Sequence, residues 1–335
     1  MPPKVSIVLP FYNCEERLSD AVESILAQTF EDYELLLVNN NSSDNSYDIA
    51  AGFAAKDSRI NLIEEPRQGI VYALNTGIEA AKGSLIARMD SDDISYPQRI
   101  EKQVKFLDDH AEVGVVACQV THEALIDNPQ AQEGLRLYVE WNNKLITHDD
   151  IQINRFIESP VVHPTVMFRK ELIDQHGGYL NGDFPEDYEL WLRWLSKGVK
   201  MYKIPEILLD WADLPTRLTR QDERYTDQAF FEVKSRYLID WLKDHNTFFP
   251  EVVVWGAGRK SRQRFFILHE LGIHAKFYID LRANPERKVI QYQHTPPAGR
   301  HFILSYVSNR GAREKIKMFL VELGYTEGKD FICVA

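Results

Sequence analysis

The chain has 335 residues, 44% of them apolar and 27% charged, with a net charge of −11. That length suits two domains, and the composition is that of a packed protein, which excludes disordered and fibrous classes. The charge is uneven: residues 1–249 carry 25 Lys and Arg against 42 Asp and Glu, whereas residues 250–335 carry 14 against 8. An acidic main body excludes nucleic acid as a partner, because affinity for it rests on neutralising phosphates. Cys14, Cys118 and Cys333 are widely spaced, without a CxxC pair, which fits a reduced, cytoplasmic setting. Met1-Pro2-Pro3-Lys4 leads straight into a strand-like run, so no signal peptide is expected, and no apolar stretch is long enough for a transmembrane segment. Peripheral membrane association and a homo-oligomer stay open.

Strand-like and helix-like segments alternate from the start, the α/β pattern of a mostly parallel sheet flanked by helices. Val5–Leu9 is an apolar, β-branched run; Leu18, Val22, Ile25 and Leu26 recur at helical spacing within 16–28; 33–38 reads as a second strand. Residues 44–55 read as a helix, 61–63 as a strand, 69–81 as a helix with Gly83 at its C-cap, and 85–89 as a fourth strand. Ser95 with Gln98 predicts a capped helix start over 97–110. Then follow strands at 113–117, 164–169 and 204–211 and helices at 185–197 and 220–245, while 120–150 shows no clear period. From 250 the pattern restarts, with strands at 252–255, 275–280, 301–307 and 331–335 and helices at 260–271 and 312–323. The expected division is 1–219, a connecting amphipathic helix over 220–249, and a small Rossmann-like domain over 250–335.

Chemistry concentrates in loops that end strands, where open α/β sheets bind ligands. Asp90, Asp92 and Asp93 share one such loop. Clustered carboxylates repel one another unless a cation lies between them, and oxygen ligands suit Mg²⁺ or Mn²⁺. A solvated acidic loop is the plainer alternative. Pro10-Phe11-Tyr12-Asn13 ends the first strand, where Tyr12 stacks on a base or merely caps the core. Asn39-Asn40-Asn41-Ser42-Ser43-Asp44 ends the second, as a set of base contacts or as an Asx-rich turn with Ser43 or Asp44 capping the next helix. Glu186 is explained as the capping partner of Asp183; Asp187 is not.

In order and spacing these segments resemble glycosyltransferase family 2, the inverting enzymes of GT-A fold. The resemblance is carried by Val5–Asn13, Ser24–Phe30, Leu74–Gly83, Met89–Asp93 and Glu186–Arg193, and it spans residues 4–218. It implies a GT-A nucleotide-diphospho-sugar transferase fold and a nucleotide-sugar donor, UDP-linked. Pro10, Tyr12, Asn13, Asn40, Arg67, Asn75, Asp90 and Asp92 would bind that donor. Asp92 and Asp93 would hold the Mn²⁺ or Mg²⁺, and Asp187 would be the general base. On the acceptor side it implies a saccharide or lipid-linked saccharide near His163, Glu186 and Trp191, although a lone His and a Trp191/Trp194 pair are by default packing residues. One departure is that Asn39 and Asn40 stand where the family commonly has aspartates, which opens the choice of base. In Trp211–Arg220, Ala212 and Leu214 replace an Arg and a His, leaving Arg217 available. Gly256-Ala257-Gly258-Arg259-Lys260-Ser261, with Asp280 downstream, resembles the small Rossmann-like unit attached to some family members and is a candidate nucleotide loop. The rival functions are a sugar-1-phosphate nucleotidyltransferase and an inactive nucleotide-sugar-binding regulator. The loop at Pro10–Asn13 lacks the former's Gly-rich basic character, and intact Asp92, Asp93 and Asp187 speak against the latter.

Overall fold

The computed structural model describes residues 1–335 except 126, 127, 216 and 310, so Thr216 of the segment after Trp211 lies outside the described residues. The chain divides into two compact units. The first comprises 1–151, 161–182 and 186–222, the second 152–160, 183–185 and 223–335.

The first unit is built on eight strands. They are β1 (Val5–Phe11), β2 (Tyr33–Asn39), β3 (Ile60–Glu64), β4 (Leu85–Arg88), β5 (Ile94–Ser95), β6 (Val113–Ala124), β7 (Met167–Arg169) and β8 (Lys200–Asp213). They form one sheet in the order β3-β2-β1-β4-β7-β6-β8-β5. β1 pairs in parallel with β2 and β4, and β2 with β3. β7 runs antiparallel between β4 and β6, and β6 and β8 are again parallel. The carboxyl ends of β1 to β4, β6 and β8 therefore emerge at one edge.

Both faces of this sheet are covered, which is why its central strands are continuously apolar rather than alternating. Val5, Ile7, Leu9 and Phe11 of β1 enter one core with Leu18, Val22 and Ile25 from helix Leu18–Leu26. Val8 enters the opposite core with Leu74 and Ile78 from helix Ile70–Ala80 and Trp191 and Trp194 from helix Glu186–Ser196. The mostly parallel α/β sheet expected from the sequence is present.

Local expectations fare unevenly. Ser95 is not an N-cap: it lies in β5, the helix runs Arg99–Asp109, and Ser95 Oγ instead accepts from Arg99 Nε at 2.8 Å and Gln28 Nε2 at 3.0 Å. Gly83 is not the C-cap, which is Ala81. It is glycine because a Cβ would stand 2.7 Å from Ser6 N and 2.8 Å from Val5 C, inside the backbone of β1. The residue at the N-cap of the next helix is Asn45 rather than Ser43 or Asp44, although Asp44 Oδ1 accepts the Ser46 N–H at 3.1 Å. The unpatterned stretch after Val120 contains the end of β6, a helix at Pro129–Asn142 and another at His148–Asn154.

The second unit carries a wholly parallel sheet of β9 (Glu251–Trp255), β10 (His274–Asp280), β11 (Val289–Gln291), β12 (Ile303–Ser305) and β13 (Phe331–Cys333). Its order is β11-β10-β9-β12-β13, so the chain reverses direction across the sheet between β9 and β12. The long helix expected from 220 is interrupted. A short helix ends at Gln221, and Asp227–His245 starts anew where Thr226 Oγ1 accepts the Ala229 N–H at 3.3 Å. This helix belongs to the second unit. It is tied there by Arg264 to Asp227 at 2.8 Å and by the buried Lys234, whose ammonium donates to Val334 O at 2.7 Å and Ile157 O at 3.2 Å. Among the described residues, no helix is long and apolar enough to cross a membrane.

Candidate active site

The acidic loop sits where β4 leaves the sheet. Asp90, Asp92 and Asp93 each offer a carboxylate oxygen, and these oxygens lie within 4.8 Å of one another. Buried Arg88, the last residue of β4, pairs with Asp90. Arg99 braces the loop from beneath, donating to Arg88 O at 3.1 Å and Pro164 O at 2.6 Å. Asp93 Oδ1 accepts the Ala212 N–H of β8 at 2.9 Å, while its buried Oδ2 has no hydrogen-bond partner among the described residues. Burial, reinforced by the charge of Asp90, raises Asp92 to about 6. Burial and the charges of Asp92 and Asp90 raise Asp93 well above the usual carboxylate range. These are three oxygen donors with surplus negative charge and one unsatisfied buried oxygen, a set that fits a hard divalent cation.

The nucleotide-side residues separate into two kinds. Tyr12 is 52% exposed and not a core cap, whereas Pro10 is buried within β1. Asn13, at φ 46°, accepts the Ser43 N–H at 2.7 Å and donates its own N–H to Ser42 Oγ at 3.1 Å, joining the loops after β1 and β2. Asn40 is buried and its amide is committed to backbone. Nδ2 donates to Glu65 O at 3.0 Å and Arg67 O at 2.7 Å, and Oδ1 accepts from Gly69 N at 2.8 Å. The two amide donors of Asn40 are thus committed to pinning the loop after β3 to the loop after β2, and its oxygen holds the Gly69 N–H. Arg67 pairs with Glu65 at 2.7 Å, and the guanidinium holds that carboxyl at about 2.

On the other side, Asp187 occupies the first turn of helix Glu186–Ser196. Burial, with the adjacent charge of Glu186, raises its carboxyl to about 7. Asn75, half-buried, donates to Tyr179 O at 2.9 Å and accepts from Tyr179 N at 3.1 Å. His163 is buried at the entrance to β7, its Nε2 2.6 Å from the Tyr179 hydroxyl, and burial lowers its pKa. Trp191 is wholly buried, edge-on to His163 and Trp194. No face of its indole is open for an acceptor to stack on, so packing takes precedence over that role.

The sequence profile of glycosyl transferase family 2 matches residues 6–177, half of the chain. The chain belongs to glycosyl transferase family 2. It is 29% identical over 250 residues to the O-antigen biosynthesis glycosyltransferase WbnJ of Escherichia coli, covering 71% of this chain and 89% of that protein. It is 31% identical over 207 residues to the amylovoran biosynthesis glycosyltransferase AmsE of Erwinia amylovora, covering 61% and 74%. Among solved structures, Staphylococcus aureus TarS residues 1–349 in complex with UDP-GlcNAc superposes with a TM-score of 0.57 at 17% identity, over 80% of this chain and 71% of that one, a likeness of fold. Membership makes the protein a transferase and sets aside the nucleotidyltransferase alternative.

Several residues of this family 2 transferase escaped the sequence reading. Arg88 closes an otherwise apolar strand directly before three acids, and that lone cation was the available signal. Asp213, fully buried at the end of β8, gathers Arg220, His122 at 3.3 Å and Arg217 at 3.9 Å, with Arg217 lying 4.1 Å over the Trp211 ring. In the second unit, Gly256 and Gly258 form the expected turn after β9, but Asp280 Oδ2 accepts the Ala257 N–H at 2.7 Å. A carboxylate at the end of β10 thus holds one amide of the glycine turn.

Proposed function

We propose that this protein is a metal-dependent, inverting glycosyltransferase that moves a sugar from a UDP-linked donor to a hydroxyl of a saccharide or lipid-linked saccharide during surface polysaccharide assembly. The observation that carries the reading is the acidic loop, with three carboxylates within 4.8 Å and the buried Asp93 Oδ2 unpartnered among the described residues. Mn²⁺ or Mg²⁺ held by Asp92 and Asp93 would supply Lewis-acid stabilisation of the departing diphosphate. The pathway is supported by relatives named for O-antigen and amylovoran biosynthesis, and the donor class by TarS, solved with UDP-GlcNAc.

Each role follows from chemistry already described. Exposed Tyr12 offers a ring face on which a base stacks. Asp90, neutralised by Arg88, is left to accept from a sugar hydroxyl. Asp187, with its carboxyl near 7, takes the proton from the acceptor hydroxyl as that oxygen attacks the anomeric carbon. Attack from the face opposite the diphosphate inverts the centre. The test is a hydrolysis screen of UDP-glucose, UDP-galactose, UDP-N-acetylglucosamine and GDP-mannose with Mn²⁺ and with EDTA. Mn²⁺-dependent UDP release from at least one UDP-sugar is expected; equal rates in EDTA would remove the metal, and release from GDP-mannose alone would remove the UDP preference.

A further inference from the structure

We infer that Asn75 is a positioning residue for Asp187, holding the backbone strap 176–179 against helix Ile70–Ala80 while Arg193 holds the same strap against the helix that carries Asp187. The inference rests on the reading of Asp187 as the base. Asn75 meets both backbone groups of Tyr179, the N–H at 3.1 Å and the carbonyl at 2.9 Å, so its amide pairs with the strap as a neighbouring strand would. Directly before it, Gly178 passes so close that a Cβ would stand 2.8 Å from Asn75 Oδ1. From the other side, Arg193 donates to Gly177 O at 3.0 Å, Gly178 O at 2.6 Å and His176 O. Arg193 is itself fixed by Glu189 at 2.9 Å, and Trp194 Nε1 adds a bond to Gly177 O at 3.2 Å. Glu189, Arg193 and Trp194 all belong to helix Glu186–Ser196.

The strap is thus bonded on one side to a helix packed against the sheet and on the other to the helix of Asp187. Its Tyr179 side chain reaches His163 Nε2 at 2.6 Å, at the sheet edge that bears the acidic loop. An amide is the side chain this junction requires, because it must donate and accept at once. A carboxylate of the same shape would keep the bond from Tyr179 N but face the Tyr179 carbonyl with a second lone pair. The strap would then shift, and a general base displaced by about 1 Å loses much of its effect.

Two variants of the full chain perturb the junction from opposite sides: Asn75→Asp and Gly178→Ala. Both are assayed with Mn²⁺ on UDP-glucose, UDP-galactose and UDP-N-acetylglucosamine, with UDP binding followed by calorimetry. Each variant should lower kcat by about tenfold or more, leaving the donor KM and the UDP Kd within about twofold. A raised donor KM with unchanged kcat would place Asn75 among the donor contacts and overturn the inference, as would wild-type kinetics in either variant. If Asn75→Asp does not fold, Gly178→Ala decides alone, since it leaves Asn75 in place. Asp187→Asn in the same assay separates the two claims: retained turnover there refutes the base itself, whereas a dead Asp187→Asn beside an unaffected Asn75→Asp refutes only the positioning role.

Discussion

Replacing Asp187 by Asn should abolish turnover and make the protein more stable, and the second effect has a calculable size and a definite pH dependence. Burial and Glu186 raise this carboxyl from 3.8 to about 7 in the folded state. Below the unfolded value, both states are protonated and the group contributes nothing. As pH rises from about 4 to 7 the unfolded chain releases a proton that the folded chain retains, so folding is progressively disfavoured, and above 7 the full cost applies. A displacement of about three units at 1.36 kcal/mol each sets a ceiling of about 4 kcal/mol. Part of that is shared with Glu186, so roughly 1–3 kcal/mol should return on substitution. Asn keeps the Oδ1 that accepts the Tyr188 N–H at 2.7 Å, so no bond of the helix start is lost.

Denaturant unfolding in EDTA, without nucleotide, should show the Asn variant more stable than wild type at pH 8 and equal to it near pH 4. Turnover of UDP-sugar should fall by about 10²- to 10⁴-fold, with Mn²⁺-dependent UDP binding retained. The wild-type rate should decline as pH drops through about 7, where the base becomes protonated. Equal destabilisation of the variant at both pH values would refute the buried-carboxylate argument, and retained turnover would refute the base.

Tyr12→Ala removes a half-exposed ring and should raise the Kd for UDP by about 10- to 100-fold, the worth of one stacking contact, with little change in thermal stability. Asp92→Ala should weaken UDP binding in Mn²⁺ and leave binding in EDTA unchanged, as titration calorimetry would show. In the wild type, Mn²⁺ affinity should weaken as pH falls through about 6, where protons compete for Asp92. Gly83→Ala forces a Cβ to within 2.7 Å of Ser6 N in a central strand and should cost about 1–3 kcal/mol in denaturant unfolding.

The sheet was legible because its signal is local. Val5, Ile7 and Leu9 point to one core and Val8 to the other, and a strand buried on both faces must be apolar throughout. Turn and cap chemistry was less legible because it is settled by distant partners. Ser95 matches an N-cap in sequence, yet Arg99, Gln28 and the β5–β8 pairing claim it for another purpose. Gly83 follows a helix as a C-cap should, but its reason lies 77 residues upstream, at Ser6.

The same contrast governs the site, and its cause is the valence of the side chains. Asn40 and Asn75 were both expected on the donor side, yet each binds main chain through both ends of its amide, because an amide both donates and accepts and the backbone offers both complements. A carboxylate only accepts. Three of them within 4.8 Å exceed what neighbouring N–H groups supply: Ala212 serves one oxygen of Asp93, and the buried Oδ2 is left without a partner among the described residues. Arg88 pairs with Asp90, while burial, reinforced by the neighbouring carboxylates, raises the pKa values of Asp92 and Asp93. Clustered aspartates are therefore left with acceptor capacity that the backbone does not fill, whereas these asparagines are drawn into main-chain bonds. The separation of acidic loop from scaffold amides follows from that difference in hydrogen-bonding capacity.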